Sequence, residues 1–390
     1  MARSLLVSFV TSGAVIAALG GASGALLGLI GARRLTRPRP YEPKVQVESI
    51  TDEQVSLRRT LDTSLPGEYR IVAPNSSLLL GDVLSSGKQS VTRQTSQRTG
   101  AGDSFTAGSW LWESAVFESP ADLGGDVTVD EILVHGNHGD LPTWIVVPKR
   151  FAPSDTWAIH VHGHSSQRKQ VLRGVSTFAR LGINSMIIPY RNDGVGPSTQ
   201  PRGHTLGVHE SEDVDAAIDA ARAAGATKVI LVGWSMGAMI AFHAMLRNQS
   251  VVDGLVGISP VTSIKPLLRS GFTRVHLPGL LADISGAILK SSKMCRAASI
   301  AAPIDLDSLS WSRYSDDLDT PVLLIHSAGD KVMPFRFTHE FARQTPSATI
   351  VQTAPAPHTL EWNVDRASFE GGLEGWLIKV LSLPAPNQLS

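Results

Sequence analysis

The chain has 390 residues, and its 35 basic side chains balance 35 acidic ones, which argues against a broad basic surface for nucleic acid. Its single cysteine, Cys295, excludes an internal disulfide and leaves the redox compartment unread. At this length one large α/β domain with a small extension is expected.

Residues Leu5 to Ile30 carry no charge and are rich in Ala, Gly, Leu and Val. A hydrocarbon core is spanned by about twenty apolar residues, so the sequence predicts a single N-terminal transmembrane helix here, anchoring the chain in a cell membrane. A cleaved signal peptide is the alternative, with Gly20-Gly21-Ala22 as its small-residue site. Gly20, Gly24 and Gly28 recur every four residues, a stripe on which a second copy or a neighbouring helix would pack closely. Arg33, Arg34, Arg37, Arg39 and Lys44 outweigh Arg3 and the amino terminus across this span, and the positive-inside rule then puts the body in the cytoplasm. After signal cleavage it would be exported instead. Anchor and basic flank occupy residues 1–40, with Pro38-Arg39-Pro40 as a short stiff spacer.

Residues 41–128 are rich in Ser, Thr and Gly, with short alternating segments such as Val55 to Leu57, Tyr69 to Ala73 and Ser77 to Leu80. They predict a small β-rich extension packed beside the main body. Residues 129–390 form that body. Val129 to Val134 and Pro142 to Val147 flank Gly136-Asn137-His138-Gly139-Asp140, the pattern of an antiparallel hairpin. Short apolar runs follow at Ala158 to Val161, Ile183 to Pro189, Val229 to Val232, Gly254 to Ile258, Val322 to Ile325 and Thr349 to Val351, separated by helical stretches such as Gln167 to Leu181 and Glu210 to Ala224. Such alternation predicts an α/β fold with a mostly parallel central sheet and helices on both faces.

Candidate chemistry falls at the strand ends. The first run leads into His162-Gly163-His164, where Gly163 permits a tight turn that offers the His164 amide as an oxyanion donor. His160, His162 and His164 alternate along one strand, which leaves a metal site as the competing reading, but no carboxylate or cysteine is placed to complete it. Gly233-Trp234-Ser235-Met236-Gly237 joins a strand to a helix with the GxSxG spacing of a nucleophile elbow. There Ser235 is the candidate nucleophile, the Met236 amide the other oxyanion donor, and Trp234 with Gly163 the candidate substrate contacts. Between residues 262 and 320 lies an insertion whose apolar residues suit amphipathic helices broken at Pro278 and Gly279. Asp330 follows the next strand and His358 the one after, giving the chain order Ser, Asp, His.

On these motifs, from Val129 to Leu381, the chain resembles the α/β-hydrolase superfamily, and within it the serine aminopeptidase, acylaminoacyl-peptidase-like and esterase branch. Tyr190 to Ser198 is similar to that branch's Arg-Gly-x-Gly-x-Ser loop, except that Asn192 and Asp193 stand ahead of Gly194, a departure expected to touch the pocket wall more than the chemistry. The resemblance implies a lid made by the 262–320 insertion and a serine hydrolase acting on a carboxylic ester, lipid or peptide bond through an acyl-enzyme, with no cofactor and no metal. An acyltransferase with the same triad, or a non-catalytic membrane-anchored binding protein on this fold, are the alternatives.

Overall fold

The computed structural model describes residues 23–38, 42–100, 105–150 and 154–384. Residues 23–36 form a helix, α1. Next come β1 (Lys44–Ile50), β2 (Gln54–Arg58), β3 (Tyr69–Ala73), β4 (Ser76–Ser86), β5 (Ser90–Gly100) and β6 (Gly108–Glu113). They close into a barrel in the order β1-β2-β5-β4-β3-β6. Alternate residues fill it: Val45 and Val47, Val55 and Leu57, Tyr69 and Ile71, Leu78 and Leu80, Trp110 and Trp112, the period-two pattern of strands with one buried face. Arg93 is buried against this core, its guanidinium donating to the carbonyls of Thr63 (3.2 Å), Leu65 (2.7 Å) and Gly81 (2.7 Å) and lying 5.2 Å from the centre of the Tyr69 ring. Carbonyls at a barrel end have few partners of their own, and one planar fork of donors satisfies several at once.

The second sheet has eight strands in the order β14-β13-β12-β11-β9-β10-β8-β7. β7 (Val127–Gly136) and β8 (Gly139–Pro148) form the antiparallel hairpin, and β8 also pairs antiparallel with β10 (Asn184–Ile188). From β10 onward through β9 (Thr156–Val161), β11 (Lys228–Trp234), β12 (Gly254–Ile258), β13 (Val322–Ser327) and β14 (Ala348–Thr353) the pairing is parallel. Strand residues divide by parity. Ala158, Ile230, Val232, Val256 and Leu323 pack under α2 (Leu172–Arg180) and α9 (Arg366–Leu381), whereas Ile159, Val161, Leu231, Leu255 and Leu324 pack under α3 (Ser211–Ala223) and α4 (Met236–Arg247). Both faces are covered, which is why these strands read as continuous apolar runs.

The insertion folds as α5 (Ile264–Arg274) and α6 (Leu280–Lys290), interrupted at Pro278 and Gly279, followed by tight turns at Cys295–Ala298 and Trp311–Asp317. After β13 comes α7 (Phe335–Gln344), and after β14 the short α8 (Glu361–Val364). Barrel and body are seated on α8. Leu360 and Val364 pack against the barrel core, and the Asn363 side chain donates to the carbonyls of Glu68 (2.6 Å) and Ser114 (3.0 Å).

The N-terminal expectation of a membrane-spanning helix finds no support among the described residues. No described helix is long and apolar enough to cross a membrane, and most of the expected anchor, with Gly20, lies outside the described residues. Its C-terminal part is α1, which docks on the 262–320 insertion, hereafter the cap: a Cβ on Gly24 would stand 3.6 Å from Ile284, and one on Gly28 only 2.4 Å. Gly24 and Gly28 of the stripe face Ile284 of α6, because a small-residue face allows close approach to any helix, whatever the solvent.

Gly67 tests the seating of the barrel. It has φ +89°, and a Cβ there would lie 1.6 Å from the Asn363 carbonyl oxygen. Gly67→Ala is expected to lower stability by about 2 kcal/mol or more, read as a reduced urea midpoint. An unchanged midpoint would contradict this docking.

Candidate active site

The turn between β11 and α4 holds Ser235 at φ 54° and ψ −115°, a strained conformation for a residue with a side chain. Its neighbours make that turn sterically feasible. A Cβ on Gly233 would stand 2.3 Å from Ala238 Cα, and one on Gly237 2.3 Å from the Val161 carbonyl oxygen. The Ser235 amide is fixed to the Ile258 carbonyl at 2.9 Å. Met236 opens α4, so its N–H is among the first-turn donors that have no partner within the helix, and the positive end of the helix dipole faces the same place.

Ser235 Oγ lies 2.7 Å from His358 Nε2, and His358 Nδ1 lies 2.6 Å from Asp330 Oδ2. The three residues chosen from strand-end position are therefore in hydrogen-bonded sequence. Asp330 is fully enclosed and His358 17% exposed at its side chain. The acid's other oxygen accepts the amides of Val332 (2.7 Å) and Met333 (3.0 Å). Burial alone would raise the Asp330 pKa, but the charges and hydrogen bonds of His358 and His326 outweigh it and hold the carboxyl well below its ordinary range. Burial likewise pulls His358 down, and the Asp330 charge and hydrogen bond, with Glu361 behind them, reverse this, so the imidazole titrates above its ordinary value.

Sequence reasoning missed several members of this centre. His326, at the end of β13, donates from Nε2 to Asp330 Oδ2 at 2.9 Å, while its Nδ1 meets the Thr338 hydroxyl at 2.9 Å. Glu361 is buried beside it, bonded to the Ser259 hydroxyl, which in turn accepts the Thr359 amide at 2.9 Å. Arg173 of α2 donates to the Thr359 carbonyl at 2.9 Å and to the Asn363 side chain. Thr359 follows His358, so both contacts fix the base's loop. Only the spacing His358 to Glu361, one helical turn, offered a signal in the sequence.

The loop after β9 packs onto the elbow: a Cβ on Gly163 would lie 3.2 Å from Ser235 Cβ. The Gly163 carbonyl accepts from the Tyr190 hydroxyl and from His162 Nδ1, both at 3.0 Å. In a trans peptide the N–H points opposite to the C=O, so pinning this oxygen turns the His164 N–H away from Tyr190 and His162. His162 is braced by Asp193 at 2.9 Å, and Asp193 by the amides of Val195 and Gly196. Asp193 thus reaches the Gly163 loop through His162.

Trp234 requires correction as a substrate contact. Its side chain is 2% exposed, stacked on Phe369 and lying under the Arg173 guanidinium, because the residue before Ser235 still belongs to β11 and points across the sheet. The three histidines of the β9 end diverge, His160 to Ser185, His162 to Asp193 and His164 to His204. Among the described residues the metal-ligand grouping is His326, Asp330 and Glu361, with ligand atoms within 4.8 Å of one another. A cation there would compete with both imidazoles for Asp330.

A family model described as "Serine aminopeptidase, S33" matches residues 153–315, and one described as "Domain of unknown function (DUF8805)" matches residues 46–111. The former covers the elbow and ends before Asp330 and His358. A pimeloyl-[acyl-carrier protein] methyl ester esterase of Aromatoleum aromaticum is 24% identical, over 33% of this chain and 66% of its own length; the chain thus spans just under two thirds of that relative. Two crystal forms of the Pyrococcus furiosus esterase Pf2001 superpose with TM-scores of 0.52 and 0.51 at 18% identity, covering 67% of this chain and 94% and 96% of theirs. Together with the topology above, these comparisons show an α/β-hydrolase fold.

The base and acid can be tested without any substrate. In an NMR titration the His358 ring is expected to lose its proton above the ordinary midpoint of about 6.5, and in Asp330→Asn the midpoint should drop below it, since burial remains and the countercharge is gone. A midpoint unmoved by that substitution would break the pairing.

Proposed function

We propose that the chain is a serine hydrolase that cleaves a carboxylic ester through an acyl-enzyme on Ser235. The observation that carries this reading is the relay from Ser235 Oγ through His358 to Asp330 at 2.7 and 2.6 Å, on a serine held at positive φ. Ser235 Oγ attacks the ester carbonyl carbon while His358 Nε2 takes its proton. The carbonyl π pair moves to oxygen, where the amides of His164 and Met236 stabilise it, and Asp330 stabilises the imidazolium. Collapse expels the alkoxide, which takes the proton from His358. Water then attacks the acyl group, His358 receives its proton, and Ser235 departs with that proton to release the carboxylic acid.

An ester is favoured over an N-terminal peptide for a reason of charge. Recognition of a free α-amino group needs an uncommitted carboxylate at the site. Asp330 is occupied by four donors, and Glu361, one of whose oxygens has no partner, is fully enclosed and held toward its neutral form by burial. The cap instead brings a cation close: Arg274 of α5 acts on His358 and donates to the Lys331 carbonyl at 2.7 Å. The relatives described as esterases add to the support.

Hydrolysis of p-nitrophenyl esters of graded acyl length should identify the preferred chain, and Ser235→Ala is expected to lower turnover by about 10⁴-fold or more and to abolish fluorophosphonate labelling, with the fold intact by circular dichroism. Retained turnover would exclude Ser235 as the nucleophile. Because His358 acts only when neutral, kcat/KM should rise with pH through a midpoint above about 6.5. A flat profile across neutral pH would contradict the base assignment.

A further inference from the structure

α1 does more than cover apolar surface. Its middle is fitted to the cap: the Gly28 carbonyl accepts the Ser285 hydroxyl of α6 at 2.8 Å, and a Cβ on Gly31 would stand 2.5 Å from Phe272 Cζ of α5. Its end is tied to the turn after α6 by three contacts, Arg33 Nε to the Ala297 carbonyl (2.7 Å), the Thr36 hydroxyl to the Ala298 carbonyl, and Arg37 Nε to Ser299 Oγ (2.6 Å). Ala32 and Thr36 are completely buried, Ala32 in the same apolar cluster as Met236 of the elbow.

From that end the contacts continue to the oxyanion loop. The Thr36 carbonyl accepts the His204 amide at 2.6 Å. His204 Nε2 meets the Asn192 carbonyl at 3.1 Å, and its Nδ1 meets His164 Nδ1 at 3.0 Å. The His164 ring also reaches the backbone of Arg34 and Arg37. Burial, and then the neighbouring His204, pull its pKa to about 3, so the His164 ring is neutral at neutral pH. The two halves of the loop therefore have separate anchors. Tyr190 and His162 hold the Gly163 carbonyl from within the body, whereas the His164 side is held through His204 by residues that precede the barrel in sequence.

We propose that residues 23–37 are a positioning element of the catalytic centre: seated between the cap and the 199–209 loop, they hold His164 in its oxyanion-binding conformation, so turnover depends on α1 remaining docked. This rests on the esterase reading above. An inhibitory plug is the opposite use of the same helix. Among the described residues, α1 makes no hydrogen bond to Ser235, Asp330 or His358; it braces the donor and leaves the relay free. Loss of one oxyanion donor typically costs about 10²- to 10³-fold in kcat with little effect on binding, and displacement by a few tenths of an ångström gives part of that loss.

Full-length Gly28→Leu, whose side chain collides with Ile284, is the undocking variant, and Gly28→Ala with and without Ile284→Ala is the milder series should the leucine variant fail to fold. Hydrogen exchange of 23–36 reports docking, and exchange of 162–166 reports the loop. The expected result is faster exchange in both segments, kcat for p-nitrophenyl ester hydrolysis and the fluorophosphonate labelling rate lower by about tenfold or more, KM changed far less, and partial recovery of kcat when Ile284→Ala relieves the Gly28→Ala clash. Undocking with wild-type kcat, or with raised kcat, would overturn the proposal, the latter in favour of a plug. A wild type that neither labels nor turns over would instead remove the esterase reading. In that case unchanged exchange at 162–166 on undocking would dispose of the brace as well.

Discussion

The centre is organised around one buried negative charge. Asp330 keeps its charge because four donors converge on it, two backbone amides and two imidazoles, and without them an ionised carboxylate in this enclosure would be several kcal/mol out of place. That requirement dictates much of the surrounding chain. The acid must sit on a turn that exposes successive amides, immediately past β13, and the base must arrive from β14 on a neighbouring loop. The two loops are stitched by the Ser327 hydroxyl, which donates to the Ala354 carbonyl and accepts the amides of Gly329 and Ala356. Gly329 has no room for a side chain, since a Cβ would meet the Ala356 amide at 2.8 Å.

The same logic extends outward in shells of positioning. Arg173, buried with its pKa pulled by burial to about 10, joins the base's loop to Asn363, and Asn363 joins α8 to the barrel. The barrel is therefore not an appendage hung on a linker. Around the Gly163 loop, Tyr190, His162 and Asp193 form a second set of supports, and α1 with His204 a third. Each set fixes a different component of the site, and each comes from a different stretch of sequence.

How much of this was legible follows from what each feature needs. Ser235, Asp330 and His358 were readable because a parallel sheet exposes its chemistry where strands end, and strand ends show as apolar runs meeting Gly, Pro and Asp. The parallel sheet and the break at Pro278 and Gly279 were readable for similar local reasons. Trp234 was misjudged since adjacency in sequence to a nucleophile says nothing about which side of a sheet a side chain takes. Glu361 and Arg173 were invisible in role because their partners lie in distant segments: Glu361 meets Ser259 across 102 positions and Arg173 meets Asn363 across 190. Closure of β1 to β6 into a barrel is likewise a long-range property, decided by the pairing of β1 with β6. The glycine stripe of α1 shows the limit most clearly. A face of small residues specifies close approach and is silent on whether the approaching surface belongs to a bilayer neighbour, a second copy or the chain's own cap.

The cap separates the hydrogen-bonded triad in the chain: Ser235 precedes it, Asp330 and His358 follow it, and α1 binds it across 257 and 264 positions at Ser285 and Ala297. Closing so long a loop is entropically costly and kinetically late. During vectorial synthesis α1 leaves the ribosome early yet waits for its binding surface, and the elbow forms while its acid and base are still untranslated. A nascent chain therefore carries Ser235 before its hydrogen-bonded partners exist, and the set is complete only after β13 and β14 have joined the sheet.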